Sequence, residues 1–483
     1  MREFAEPTLD AFTSWLLAAP RPHTATLDGS VLIIDDLWQA DLRQHGALLQ
    51  DAWLANGEAR LLWTPEGVVV DLIRISKVPG WEWVRSATTA WRILHSSKGP
   101  EMPPSVRTAL SAVLEDPGAA RFALETTRLE AVLAASTAQG IRVDTAALEA
   151  KRVELLHTHR LLKELFGFDP LARENDGQTR AWLARKGVHV DGVTSEDWGS
   201  RVVDDSPVSR ESETVYEHAL HLRRRLPKVL ELAARTNRGK VRSKLIPAAQ
   251  VSGRISSTCP ALNNVAADLR HLLVARTGHV FISADFDGIE PRVLAALSGD
   301  IQLIRDLDTG DPYADAAHRA GYDPRRFRTL FKVIMISTMY GAQPSRTARQ
   351  LGVSLAEAKR VRSLLWMPYQ TAEAWLRTQE GFGPLRLDSG RPLGVVERAH
   401  ARPNLIIQST AYDLFQAAAL RVHEHLPAGC HIVLPMHDEL VIEAPDHARA
   451  AVLDVLAAQM PARLRGVDIG ATPAVLGAFW WKP

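Results

Sequence analysis

Cysteine is nearly absent from this chain. Its only two, Cys259 and Cys430, lie far apart, which excludes a disulfide framework and a cysteine-rich metal knuckle. Long hydrophobic runs are missing too: no stretch is long enough to span a bilayer, and "MREFAEPTLDAF" is not a signal peptide. A reducing cytoplasm, with no membrane partner, is the natural reading. An excess of charge of either sign is also lacking. The net charge is +1, so any surface for a polyanion must be local. Internal repeats and low-complexity tracts do not occur. What remains is an ordinary globular composition in 483 residues, enough for two to four domains or subdomains. Arginine far outnumbers lysine and alanine is abundant, which reads as GC-rich coding.

The first hundred residues stand apart. They hold Trp15, Trp38, Trp53, Trp63, Trp81, Trp83 and Trp91 of the 13 tryptophans. Strand-like runs ("SVLIIDD", "ARLLWT", "GVVVDLIRI") alternate there with helix-like ones, as in a small α/β domain. "SSKGPEMPPS", Ser96 to Ser105, has the content of a linker. Beyond it, "FALETTRLEAVLAASTAQG" and "TAALEAKRVELLHTHRLLKELFG" repeat apolar residues at helical spacing, with "IRVD" as a short extended joint. "TVYEHALHLRRRLPKVLELAART" predicts a further helix, bent or broken near Pro227. Basic residues cluster from Arg223 to Lys244 against a single acid, Glu231. Such a cluster is either a solvated helix face or a surface that follows phosphates.

Three stretches carry chemistry. In "HVFISADFDGIEPR" an apolar strand ends at Asp285, which holds that carboxylate rigidly at a sheet end. Hard divalent cations need such fixed oxygens. Alone, the pattern is equally a turn with a capping aspartate. A partner acid appears in "HIVLPMHDELVIEAP", where two apolar runs flank His437, Asp438 and Glu439 as the tip of a β-hairpin. Adjacent acids repel, and a cation relieves them; the plainer reading is a surface turn. In "RFRTLFKVIMISTMYG", Arg328, Lys332, Ile336 and Tyr340 recur every fourth residue and share one helix face. Two cations on an apolar helix fit a polyanion such as a triphosphate, or else snorkel.

In this order the three stretches resemble the A, B and C motifs of the DNA polymerase I family, family A. "VSGRISSTCPALNN", "GAQPSRTARQLGVSLAEA", "NLIIQSTAYDLF" and "TAQGIRVD" are similar to four further segments of that family. The likeness runs from about Ala120 to the C-terminus. It implies an α+β, right-hand polymerase, with helical thumb and fingers and an antiparallel-sheet palm, preceded by the small α/β domain. The boundaries expected are 1–100 for the small domain and 111–483 for the polymerase domain. Within the latter, the thumb is about 120–245, the palm about 246–305 and 405–483, and the fingers about 306–404. The resemblance implies a DNA-directed DNA polymerase acting as a monomer on primer-template DNA and dNTPs. Asp285, Asp438 and the Phe286 backbone carbonyl would hold two Mg2+ ions, for which Mn2+ could substitute. Arg328 and Lys332 would hold the triphosphate, and Lys332 could protonate the leaving group. Tyr340 and Ile336 would lie against the nucleotide and Glu290 would exclude a ribose 2′-hydroxyl. His437 and Glu439 would sit beside the primer terminus, with Glu439 among the catalytic residues. Arg254, Asn264 and Gln408 would touch the minor groove of the new duplex.

The chain also departs from the family pattern. Ile336 stands where the family sets an aromatic residue, and such stacking is worth roughly 1–3 kcal/mol. Weaker nucleotide binding or altered selectivity is expected. Asp287 and Gly288 replace Ser and Gln, and Asp287 is expected to be a helix cap at most. Pro291 falls in the first turn of a helix if that helix starts near Ile289. Pro435 implies a bulge or an edge in the hairpin strand. No Asp-x-Glu precedes the linker, so neither 3′–5′ exonuclease nor 5′ nuclease activity is expected. The first hundred residues are then a degenerate exonuclease remnant or an unrelated docking module. Two alternatives to a DNA polymerase stand: a single-subunit RNA polymerase, disfavoured by Glu290, and a catalytically weak DNA-binding descendant, disfavoured by the retained acids and cations. The expected setting is a bacterial nucleoid, or a phage or plasmid gene in a bacterial cell, with repair or replication as the role.

Overall fold

The computed structural model describes residues 1–4, 23–28, 31–34, 38–44, 49, 62–64, 84–86, 89, 90, 93, 112–190, 201–203, 206–351 and 353–480. Two expectations, the "GVVVDLIRI" strand and the linker at Ser96 to Ser105, lie outside these residues. The described N-terminal strands form one six-stranded mixed sheet. Val31–Ile34 pairs antiparallel with His23–Asp28 and with Trp38–Asp41. Leu62–Thr64 and Val84–Ser86 extend the sheet in parallel.

The rest is α+β, built on a four-stranded antiparallel sheet. Its order is His431–Met436, Glu439–Pro445, His279–Phe286, Ala471–Gly477. The apolar runs are nearly continuous because both faces are covered. Val280, Ile282, Ala284 and Phe286 join Leu440, Ile442 and Ala444 in one core, beneath the helices Ile289–Ser298 and Arg402–His425. Phe281 and Val441 point the other way, into a second core with Leu434, Met436, Val229 and Trp480. Alternation of side chains along a strand produces this division. His431–Met436 is an edge strand, with a register shift between Ile432 and Leu434, so Pro435 sits where a missing N–H is tolerated.

The second core continues into a pair of long helices. Leu148, Leu155 and Leu162 recur every seven residues on Thr145–Phe166. They share that core with Ala219, Leu222, Leu226 and Val229 of Pro207–Arg235. This is seam-type packing, with a heptad stripe against a stripe spaced three and four. The second helix runs unbroken through Pro227, so of the expected bend or break, the break does not occur. Three Asp-Pro steps start helices elsewhere. Asp116, Asp311 and Asp323 each cap backbone amides of a helix that begins with proline. Proline lacks the amide that a first turn leaves unpaired, so cap and proline reinforce each other.

The helix Pro117–Gln139 meets the turn of the hairpin Gly383–Arg386/Pro392–Val396 closely. Arg386 reaches both carboxylate oxygens of Asp116, at 3.0 and 2.6 Å, and holds that acid down at about 2. A Cβ on Gly118 would lie 2.0 Å from the Gly390 carbonyl oxygen. Alanine would favour the helix by about 1 kcal/mol, but overpacking against a backbone atom costs about 1–3 kcal/mol. We therefore expect Gly118→Ala to lower the urea midpoint. A raised midpoint would refute the close approach.

Candidate active site

Two backbone features bring the acids together. The register pairs Asp285 with Glu439 across the sheet, which puts both side chains on one face. The Phe286 amide then donates to the Asp438 carbonyl at 3.3 Å, tying the hairpin tip to the end of the central strand. His437 turns the chain in the left-handed region, at φ 57. Asp438 is thereby held near Asp285. Burial first, and the charge of Asp285 second, push its carboxyl up to about 7. His437 is pushed the other way, below the usual histidine range, by burial and then by Arg254 and Arg270. Glu439 is buried.

These acids fit a divalent cation that is also bound by its substrate. Two fixed carboxylates supply hard oxygens, and one, Asp438, is held up by burial and then by the charge of the other. The Phe286 carbonyl accepts the Gly288 amide, which leaves one lone pair. Among the described residues no group of three or more His, Cys, Asp or Glu side chains could hold a metal. The protein alone therefore gives an incomplete shell, as is usual for Mg2+ bound through one or two carboxylates and substrate phosphates.

Glu290 lies one turn away, on the helix Ile289–Ser298, and is buried. Its two oxygens accept from the Arg254 guanidinium and from the Tyr340 hydroxyl. Burial, then the charge of Glu290, raises the Tyr340 phenol well above its ordinary value, and Gln408 acts on the same phenol in the opposite sense. Three residues from three distant segments thus form one network, with Gln408 beside it. Gly288 is the N-cap, at φ 67, which glycine adopts without strain. Asp287 is not the cap. It accepts from Thr472 at 2.8 Å, so the capping expectation is corrected. Pro291 lies in the first turn, as required.

Tyr340 caps the helix Pro324–Met339, whose buried side carries Phe331, Ile334, Met335 and Met339. Arg328, Lys332 and Ile336 lie on the open side. Lys332 is exposed and pairs with no side chain among the described residues. Arg328 is held away by Asp311 and stacks over Tyr313, 5.7 Å from the ring centroid. Arg254, Asn264 and His437 line one cleft of about 170 Å³, together with Tyr412 and Phe415. Gln408 is not among its walls; it joins the site through Tyr340.

The basic cluster is largely consumed within the protein. Arg223 pairs with Asp176, Arg225 with Asp268, and Lys228 with Glu231. Lys240 and Arg242 donate to the carbonyls of Gln139 and Ala138. Arg235 and Arg238 are exposed. Neither of the two sequence readings is met in full: much of the run is structural. The sequence reading also missed a buried ion pair, Arg391 with Asp413 at 2.7 Å. Its sequence signal is slight, one arginine in a Ser-Gly turn.

A strand-end acid, a hairpin-tip acid and a cation-bearing helix tied to a buried glutamate thus gather at one end of the sheet. Residues 209–382 match DNA polymerase family A. The thermostable DNA polymerase I of Thermus filiformis is 28% identical over 380 residues, 68% of this chain and 44% of that protein. That of Thermus thermophilus is 29% identical over 366 residues, 66% and 43%. The DNA polymerase of Mycobacterium phage L5 is 30% identical over 229 residues, 45% and 37%. The polymerase domain of Pol1 from M. smegmatis, solved in complex with DNA primer-template and dNTP, has a TM-score of 0.78 at 19% identity. The match covers 99% of each chain, and this likeness shows the fold. The chain spans less than half the length of these curated relatives. Gln408, His437, Asp438 and Glu439 lie beyond the family match.

The raised Asp438 pKa has a signed consequence. Its carboxyl holds a proton more tightly when folded (about 7) than when unfolded (3.8). The stability it contributes is present below the unfolded value and is lost as pH rises through the folded one. Asp438→Asn should therefore raise the melting temperature of the metal-free protein at pH 8, by a margin that shrinks towards pH 4. A pH-independent difference would show that Asp438 is not held up by burial and Asp285.

Proposed function

We propose that this chain is a template-directed, DNA-dependent DNA polymerase that adds dNTPs to a primer 3′-hydroxyl. The observation that carries this is the meeting of Asp285 and Asp438 at the end of the four-stranded sheet, set by the Asp285–Glu439 register and the Phe286–Asp438 backbone bond, beside the Arg254–Glu290–Tyr340 network. The relatives named above are DNA polymerases, and the similar solved structure holds primer-template DNA and dNTP. In this reading residues 120–245 serve as thumb, 246–305 and 405–483 as palm, and 306–404 as fingers.

Asp285 and Asp438, with the Phe286 carbonyl, would hold two Mg2+ ions. Bound there, the metals supply Lewis acidity towards the primer hydroxyl and the leaving pyrophosphate. The protein's own groups do the rest. Lys332 meets the triphosphate as a free cation and is placed to give a proton to the leaving group. Arg328 joins once the phosphates outcompete Asp311 for it. Glu290, fixed by two donors, fills the space that a ribose 2′-hydroxyl would need. Tyr340 holds the far side of that gate, Glu439 and His437 border the primer end, and the cleft with Arg254 and Asn264 receives the minor groove of the new pair. Minor-groove acceptors are similar for every correct pair, so these contacts test shape and not sequence. With no Asp-x-Glu before the linker, we read residues 1–100 as without nuclease activity, either a degenerate exonuclease remnant or an unrelated docking module. The setting we infer is a bacterial cytoplasm, where a chain without proofreading serves repair more readily than bulk replication.

Primer extension tests the reading. Wild-type protein should extend with dNTPs in preference to rNTPs, and a preference for rNTPs would sink it. Asp438→Ala should abolish incorporation while primer-template affinity stays nearly unchanged. A mismatched primer end should persist uncut. Ile336→Phe should lower the KM for dNTPs about tenfold if stacking contributes at the lower part of its range of roughly 1–3 kcal/mol; an unchanged KM would show that Ile336 does not face the base.

A further inference from the structure

Arg391 is among the most deeply buried large side chains in the molecule, at 2% exposure. It lies in the turn of the hairpin Gly383–Arg386/Pro392–Val396, and its guanidinium gathers four partners from three distant segments. It pairs with Asp413 at 2.7 Å, and Ser389 also donates to that carboxylate, at 3.3 Å. It donates to the Ser409 carbonyl at 3.1 Å and to the Ser252 carbonyl at 3.0 Å. It stacks over Phe122, 4.9 Å from the ring centroid. Burying a charge is costly, and Arg391 Nε and Asp413 Oδ1 are buried without a hydrogen-bond partner among the described residues, so the position calls for a role that a hydrophobic residue could not fill.

The Ser252 contact supplies one. Ser252 and Gly253 immediately precede Arg254, the residue that holds Glu290. Gly253 adopts φ +90, and a Cβ there would lie 2.6 Å from the Arg391 guanidinium and 2.9 Å from the Tyr412 ring. The segment is therefore pressed between Arg391 and Tyr412, and Tyr412 lines the cleft that also holds Arg254. We propose that Arg391, anchored by Asp413, is the positioning residue for Arg254, and through Arg254 and Glu290 sets the discrimination between dNTPs and rNTPs. This rests on the polymerase reading above. Nη2 alone meets both carbonyls and the carboxylate, while the guanidinium plane stacks on Phe122 and its Nη1 presses on Gly253, and a lysine ammonium has neither the plane nor the second nitrogen.

A double-mutant cycle tests it, at a temperature where circular dichroism shows every variant folded. Arg254→Ala and Arg391→Lys should each reduce the dNTP-over-rNTP efficiency ratio, by about tenfold, since small misplacements of catalytic-site groups cost factors of 10–100. If Arg391 acts through Arg254, the double variant loses about tenfold as well, whereas independent roles give about a hundredfold loss. Hydrogen–deuterium exchange supplies a readout that needs no activity. Residues 248–256 should exchange faster in Arg391→Lys, and in the near-isosteric Asp413→Asn, while residues 279–286 stay as in wild type. Multiplied losses, or unchanged exchange at 248–256, would overturn the proposal. A wild-type protein that extends no primer sinks the polymerase reading instead, and the exchange result then decides the positioning role by itself.

Discussion

The repulsion between Asp285 and Asp438 is the constraint around which the rest of this structure is arranged. The hydrogen bond from the Phe286 amide, with the register of the sheet, leaves the two acids no way to separate. Asp438 is half-buried, so the conflict is felt in a medium that screens it less well than bulk water. Such a conflict persists only on a rigid base. The central strand has a neighbour on each side and a packed core on each face, which is why a site of this kind sits at its end and not on a loop.

Cations are distributed by the same logic. Arg254 is spent on Glu290 and Arg391 on Asp413, each as an internal brace. Several bases of the long helix brace neighbouring elements. Lys332 is kept unpaired among the described residues, and Arg328 is lightly held by an exposed acid. The near-zero net charge therefore conceals a division of labour. Positive charge that positions residues is buried or paired, and that of the helix Pro324–Met339 is left in solvent.

Much of this was legible beforehand because it is written in local patterns. The apolar run ending at Asp285, the two runs flanking His437 to Glu439 and the four-residue spacing from Arg328 to Tyr340 are each short-range signals. The elements they define are where they were expected. Pairings across the chain were not legible. Nothing local shows that Glu290 meets Arg254 and Tyr340, that Asp287 turns to Thr472 instead of capping its helix, or that Arg391 is buried. The basic run from Arg223 misled for the same reason. Its acidic partners, Asp176 and Asp268, lie outside the run, so a sequence window counts the charges without their counterions. Pro227 also failed as a break, because packing of the heptad seam holds the helix through it.

The hairpin that completes the acid pair is made long after the strand it joins. Between them the chain must build the whole helical region from Ile301 to His425. During synthesis the central strand therefore waits, with Asp285 in place, for partners still inside the ribosome. A nascent chain at that stage displays an apolar strand with two open edges, the kind of surface that other chains add to. Its vulnerable interval in the cell is set by translation speed across that region, and slow codons there would lengthen the exposure without changing the finished molecule.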